Sequence, residues 1–374
     1  MGLSRFMPIA DLYSDIYRHN YAIIFTVFVR SLMEIQSEKQ KSRKPVIGIT
    51  LGDINGIGPE VMIRALCDPR IMQLVTPLVF GSTKVLAYYR KIMELEDLPY
   101  SQIRSMDQLH TKRINVLNCW PDTVEVRIGQ PTEESGRFAF LALEEAVRCL
   151  QENQIAAVVT GPINKKNIQS EQFPFPGQTE YFTQRFGGRG NLMMMVNEDL
   201  RIGTATGHIP VSEVPGALTS ELLESKLKIL MESLKKDFKT EKPRIAVLGL
   251  NPHAGEEGLL GVEEQEIIDP VVADFKRKGA LVYGPYPADG FFGALQFQKF
   301  DAVLAMYHDQ ALIPFKLLGF ERGVNYTAGL SVVRTSPDHG TAFHLAGKNS
   351  ASAASALEAI YLASTIARNR FPDD

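Results

Sequence analysis

Cysteine is scarce in this chain of 374 residues: Cys67, Cys119 and Cys149 are the full set, with no C-x-x-C pair. An odd, dispersed set excludes a disulfide framework and points to a reducing compartment, here read as the cytoplasm. Basic excess is missing too. Forty Lys and Arg against 43 Asp and Glu give a net charge of -3, which leaves no basic face for nucleic acid. Long apolar runs are absent as well. The strongest near the start, YAIIFTVFV from Tyr21 to Val29, is far short of the roughly 20 residues that span a bilayer. Arg5 and Arg18 precede it as in a signal peptide, but no small-residue cleavage site follows before Arg30 and the charged EIQSEKQKSRK. Residues 1–44 are therefore expected to be a disordered extension, or an over-long start with Met33 as the true beginning, and the fold to start at Pro45.

What remains is ordinary globular composition, 45% hydrophobic and 22% charged, in a chain long enough for two domains. Short apolar runs alternate with helical patterns. The runs at residues 46–50, 78–81, 114–118, 155–161, 192–196, 244–250 and 301–307 read as strands, mostly without period-2 alternation, as expected of a parallel sheet covered on both faces. Phe140, Leu143, Val147 and Leu150 form one helical stripe, and Leu223, Leu227, Leu230 and Leu234 another. Alternating strand and helix predicts an α/β fold. No repeat or flexible linker separates two domains, so their framework is continuous or interleaved.

In such folds ligands gather beyond the carboxyl ends of strands. After VIGIT comes LGDINGIGPEV, a glycine-rich loop feeding a helix, which lacks the G-x-G-x-x-G spacing of a dinucleotide fingerprint and reads equally as a tight turn or a ligand loop. Lys165 and Lys166, after IAAVVT, read as a solvated surface pair. His208 in GHIPV, His253 in NPHAGEEG and His308 in YHDQ each follow a strand. Three of the seven histidines at strand ends suit a divalent cation with open coordination positions, with Asp289 and Asp309 as orienters, bases or further ligands. Farther on, Lys316, Asn325 and Arg334 suit an anionic substrate such as a phosphate monoester, with surface ion pairing as the competing reading.

TLGDINGIGPE, VVTGPINK, GQTEYF, TGHIPV, GLNPHAGEEGLLG, AMYHDQALIPFK, GFERGVNYTAGL and RTSPDHGTAFHLAG together resemble, in order, the 4-hydroxythreonine-4-phosphate dehydrogenase family, from about Pro45 onward. The resemblance implies a homodimer of two-domain α/β/α subunits akin to isocitrate and isopropylmalate dehydrogenases, with the active site in the interdomain cleft. Residues 45–128 with 300–374 would form the cofactor-binding domain and 129–299 the metal and dimerisation domain. It implies NAD-dependent oxidation of 4-phosphooxy-L-threonine, NADP being the alternative cofactor, then decarboxylation to an aminoacetone phosphate that feeds pyridoxal phosphate synthesis. By motif match His208, His253 and His308 take the places of ligands to one divalent ion (Zn, Mg, Mn or Co) shared across the dimer. Gln178, Thr179, Lys316, Asn325 and Arg334 fall on substrate-binding positions. Asp338 and His339 lie in a stretch resembling the adenine-side loop of related decarboxylating dehydrogenases. Asp289, Asp309 and Lys316 are the candidate bases.

One position departs from the family. GQTE, Gly177 to Glu180, places Gln178 where a substrate-contacting histidine is usual; an amide donates and accepts but cannot become a cation. That departure keeps one close alternative in view, the same chemistry on threonate or erythronate 4-phosphate; likeness of fold alone would also permit a phosphate acyltransferase-like activity or a phosphometabolite-binding protein without turnover.

Overall fold

The computed structural model describes residues 44–121 and 123–372. The readings made for residues 1–43, an extension with an apolar run and an internal start, lie outside the described residues. Twelve strands form one sheet: β1 (Val46–Thr50), β2 (Thr76–Gly81), β3 (Tyr100–Ile103), β4 (Ile114–Asn118), β5 (Ala157–Thr160), β6 (Gly187–Val196), β7 (Arg201–Thr204), β8 (Arg244–Leu248), β9 (Leu281–Tyr286), β10 (Ala302–Ala305), β11 (Val324–Leu330) and β12 (Val333–Pro337). The longer helices are α1 (Gly58–Leu66), α2 (Thr83–Ile92), α3 (Glu133–Gln151), α4 (Gln178–Phe186), α5 (Ser220–Lys236), α6 (Asp269–Arg277), α7 (His308–Gly319) and α8 (Ala354–Arg370). The expected α/β class is what the chain adopts. Among the described residues no helix is long and apolar enough to cross a membrane.

The sheet runs β3-β4-β2-β1-β5-β12-β11-β6-β7-β10-β8-β9. Every residue of β2, β5 and β10 is buried, so both faces are covered and the strands need no alternation. The strand readings at 46–50 and 114–118 coincide with β1 and β4. Parallel pairing is interrupted in the middle, where β11 pairs antiparallel with β12 and β6, and β6 with β7. The β7-β10-β8-β9 block therefore runs opposite to the β1 block.

Both helical stripes face the core. In α3, Leu143, Val147 and Leu150 are buried, and in α5 Leu223, Leu227, Leu230 and Leu234 are fully so. Each of these helices starts where a threonine hydroxyl can take a free backbone N-H: Thr132 accepts from Ser135 at 3.1 Å and Thr219 from Leu222 at 3.2 Å, each cap contributing about 1 kcal/mol.

The glycine-rich loop before α1 is a buried tight turn. Asp53, fully buried, accepts from the Asn55 N-H and the Ser135 hydroxyl, both at 3.0 Å. A Cβ on Gly58 would come within 2.2 Å of the Leu51 carbonyl oxygen, so only glycine fits. None of the residues from Leu51 to Gly58 lines either cavity described below, which favours the turn reading over the ligand-loop one.

Candidate active site

Three neighbouring parallel strands, β7, β10 and β8, precede the three singled-out histidines, which is why the residues fall at strand ends in the sequence. Side chains lock these ends together. Thr206 donates from its backbone N-H at 3.1 Å and from its hydroxyl at 2.7 Å to the Met306 carbonyl, joining the ends of β7 and β10. Gln310 accepts from the Met306 N-H and donates to the Gly249 carbonyl, both at 2.7 Å, joining β10 to β8. The glutamine of YHDQ is thus a staple, a role that composition and spacing do not disclose.

His208 and His308 stand side by side, ring centroids 5.1 Å apart. His308 opens α7, and its Nδ1 pairs with Asp309 Oδ1 at 2.7 Å. Such a partner fixes the ring and leaves Nε2 as the outward donor atom. Burial first, then the neighbouring His308 and Lys165, push His208 below the ordinary imidazole range, against an opposing pull from Glu180.

His253 follows β8 and does not line the cavity that holds His208; it sits in a turn of unusual hand. His253, Ala254, Gly255, Glu256 and Glu257 all have positive φ, between 41° and 80°, a conformation costing about 1–2 kcal/mol per non-glycine residue. Glu264, buried, holds the turn's approach: its Oε1 accepts from the N-H groups of Leu250 (2.7 Å) and Asn251 (2.8 Å), and Oε2 from Asn251 Nδ2 at 2.9 Å. His253 lines a cavity of about 580 Å³ with Asp289, Tyr307, Asp309 and the apolar face of α7, where Ile313 and Leu317 are exposed. No three His, Cys, Asp or Glu side chains among the described residues of this single chain converge as a metal-binding group.

His208 lines a second cavity, about 530 Å³, together with Gln178, Thr179, Asn325, Arg334 and Lys165. Arg334, on β12, is 3% exposed. Its Nε and Nη2 donate to Thr160 Oγ1 at 3.2 and 2.9 Å, and Nη1 donates to Thr327 Oγ1 at 3.0 Å and Thr179 Oγ1 at 3.4 Å. Gln178 contributes a long contact from its Oε1 at 3.5 Å, while its Nε2 donates to the Gly161 carbonyl at 2.9 Å. Among the described residues no carboxylate lies within ion-pair distance of Arg334. Burial lowers its pKa to about 10, against an opposing pull from the Glu180 carboxylate at the same cavity, so it is still charged at neutral pH. Surface ion pairing is therefore excluded for Arg334.

The remaining candidates divide. Asn325 places a buried Oδ1 with no protein partner at this cavity. Asp338 and His339 line the same space; burial raises the Asp338 carboxyl and lowers the His339 imidazole, whose Nε2 is buried without a partner. Lys316 is set back, its ammonium 3.6 Å from Asp338 Oδ2 and 5.5 Å from the Phe320 ring centroid. Thr160 and Lys165, which line the cavity, and Thr327, which holds Arg334 from behind it, are residues that sequence reasoning gave no role in the site. The threonines carry no motif, and Lys165 looks like any surface lysine until β5 and α4 are placed together.

A buried guanidinium without an ion-pair partner, orphaned polar atoms and a pair of histidines at strand ends make this an α/β enzyme with a site for a small anionic substrate. Comparison with known proteins narrows that class. Residues 73–363 match the family described as pyridoxal phosphate biosynthetic protein PdxA. The chain is 50% identical, over 87% of its length and 89% of the relative, to 4-hydroxythreonine-4-phosphate dehydrogenase of Bacteroides thetaiotaomicron. It is 37% identical to the enzyme of that name from a Sulfurihydrogenibium species, over 87% and 99%. The crystal structure of the Klebsiella pneumoniae enzyme superposes with a TM-score of 0.75 at 35% identity, covering 88% of this chain and 99% of that one. The chain belongs to the PdxA family, and it is a dehydrogenase of pyridoxal phosphate biosynthesis.

Proposed function

We propose that the chain oxidises the secondary alcohol of 4-phosphooxy-L-threonine with NAD, with NADP as the alternative carrier, and that the keto acid so formed loses its carboxylate to give an aminoacetone phosphate. The observation that carries the reading is Arg334: a buried guanidinium whose partners are all neutral is a built receptor for an anion, and its planar fork suits phosphate or carboxylate. The unpartnered Asn325 Oδ1 favours a substrate that brings a donor, as the ammonium of phosphothreonine does. Thr179 and Gln178 hold the guanidinium in place, so Gln178 works here as a neutral bridge rather than a second cation. Lys316 does not line the cavity while it pairs with Asp338, and it stays a proposed substrate contact only on release from that pairing.

The donor chemistry fits a divalent ion in part. His208 and His308 are adjacent and His208 is biased toward the neutral form that a metal needs. His253 lines a different cavity from His208, and we assign the completion of the set to a second copy of the chain in a homodimer, consistent with the exposed apolar residues on α7 beside it. When bound, such an ion lowers the pKa of the substrate hydroxyl and polarises the carbonyl that replaces it. The chain's own part is positional. Asp309 orients His308 and Arg334 fixes the anionic end, while Asp289, which lines the His253 cavity and unlike Asp309 and Lys316 has no ion-pair partner among the described residues, is assigned, reaching the site like His253 from the second copy, as the acceptor of the alcohol proton. Asp338 and His339, with the orphaned His339 Nε2, are assigned to the cofactor. The two-domain division is kept in this proposal, with the exception that β10 stands in the sheet between β7 and β8 and so goes with the metal and dimerisation domain. The cytoplasm is its proposed setting.

The test is Arg334→Met. Loss of a charged hydrogen-bonding anchor costs about 2–4 kcal/mol, roughly 30- to 1000-fold in affinity. Calorimetric titration with 4-phosphooxy-L-threonine should show that weakening; unchanged affinity would remove the anion receptor from the account.

A further inference from the structure

The substrate cavity holds one more cation than this reading uses. Lys165 opens the short helical turn Lys165–Ile168 after β5, a turn fixed by Asn164, whose Oδ1 accepts from the Lys166 and Asn167 N-H groups, both at 3.0 Å. Its neighbour Lys166 points to no cavity described above, whereas Lys165 lines the one that contains Arg334, Asn325 and His208. The Lys165 stem runs beside Gly177. A Cβ there would lie 3.7 Å from Lys165 Cε and 3.1 Å from Glu180 Oε2, so a larger residue would crowd the approach of both groups. Among the described residues no carboxylate is within ion-pair distance of the Lys165 ammonium. Lys316, by contrast, is held by Asp338 and does not line the cavity.

A substrate with both a phosphate and a carboxylate presents two separated anionic groups, and one guanidinium cannot contact both ends. An unpaired ammonium on a long stem is suited to the second, as a point charge without strict geometry. We infer that Lys165 is a second anion-holding residue of this cavity, binding a phosphate or carboxylate oxygen of the substrate together with Arg334. The inference rests on the proposed function, since it needs a doubly anionic substrate.

The experiment is calorimetric titration of the full chain, without NAD, using 4-phosphooxy-L-threonine and, separately, inorganic phosphate, for wild type, Lys165→Met and Lys165→Arg. Lys165 is exposed, so thermal unfolding of the variants should match wild type. Lys165→Met should bind phosphothreonine at least about tenfold more weakly, as expected for a lost charge-assisted bond, and Lys165→Arg within about threefold of wild type. Parallel weakening of inorganic phosphate places the ammonium at the phosphate; weakening of phosphothreonine alone places it at the carboxylate. Equal affinity of Lys165→Met and wild type for phosphothreonine would overturn the inference while leaving the proposed function standing. A wild-type chain that binds neither ligand would overturn both.

Discussion

Gln178 is buried at 8% exposure and spends both halves of its amide, donating to the Gly161 carbonyl and accepting from Arg334. Cutting it back to alanine leaves a buried carbonyl unpaired, at a cost of about 1–3 kcal/mol, and frees the guanidinium on that side. Gln178→Ala should therefore lower the midpoint of urea unfolding and raise KM for phosphothreonine by about tenfold, with a smaller change in kcat. A variant of normal stability and KM would show that Arg334 is held by its threonines alone. At this scale the sequence told chemistry better than arrangement. The types and positions of His208, His308, Asn325 and Arg334 were legible from motifs, and the structure places His208, Asn325 and Arg334 on one cavity with His308 beside His208. The Thr160 and Thr327 hydroxyls were not legible, because they act only through strand neighbours that lie 174 and 7 residues from Arg334.

At the scale of elements, the left-handed turn that carries His253 is the most demanding piece of backbone near the site. Four of its five positive-φ residues are not glycine, so its conformation must be imposed from outside. The imposing group is Glu264, from the helical turn Glu264–Ile268 that precedes α6. Glu264→Ala removes acceptors from two backbone N-H groups, and should cost about 1–3 kcal/mol in urea unfolding and cut kcat more than it changes phosphothreonine affinity. Equal losses in binding would mean that the turn shapes the anion cavity too. Elements with strong periodicity were plain from the sequence: β1, β4, α3 and α5 emerge from apolar runs and stripes. β3, β9, β11 and β12 did not. VNYTAGL bends at Gly329, φ 89°, and VRTSP is short and closes on proline, so both depend on distant pairing partners rather than on local pattern.

At the scale of the whole molecule, the reversal of direction between β12 and β7 joins two parallel blocks into one sheet. The first block, β3 to β12, supplies Thr160 and Arg334; the second, β7 to β9, ends in the three histidines. The anion receptor and the histidine-bearing strand ends therefore come from different blocks and meet where His208 enters the Arg334 cavity. This explains why the site spans the chain from Thr160 to His339 while its parts are close in space. Alternation of strand and helix foretold the class, but not the antiparallel join, since β6 and β11 carry no local mark of their direction.

The measurement that decides between these chemistries is the absorbance of reduced nicotinamide, followed with NAD and 4-phosphooxy-L-threonine with and without a chelator. Reduction that stops on chelation and returns with a divalent ion is the predicted result. Reduction that ignores the chelator would contradict the histidine site. Reduction of NAD with threonate or erythronate 4-phosphate but not with phosphothreonine would contradict the assigned substrate.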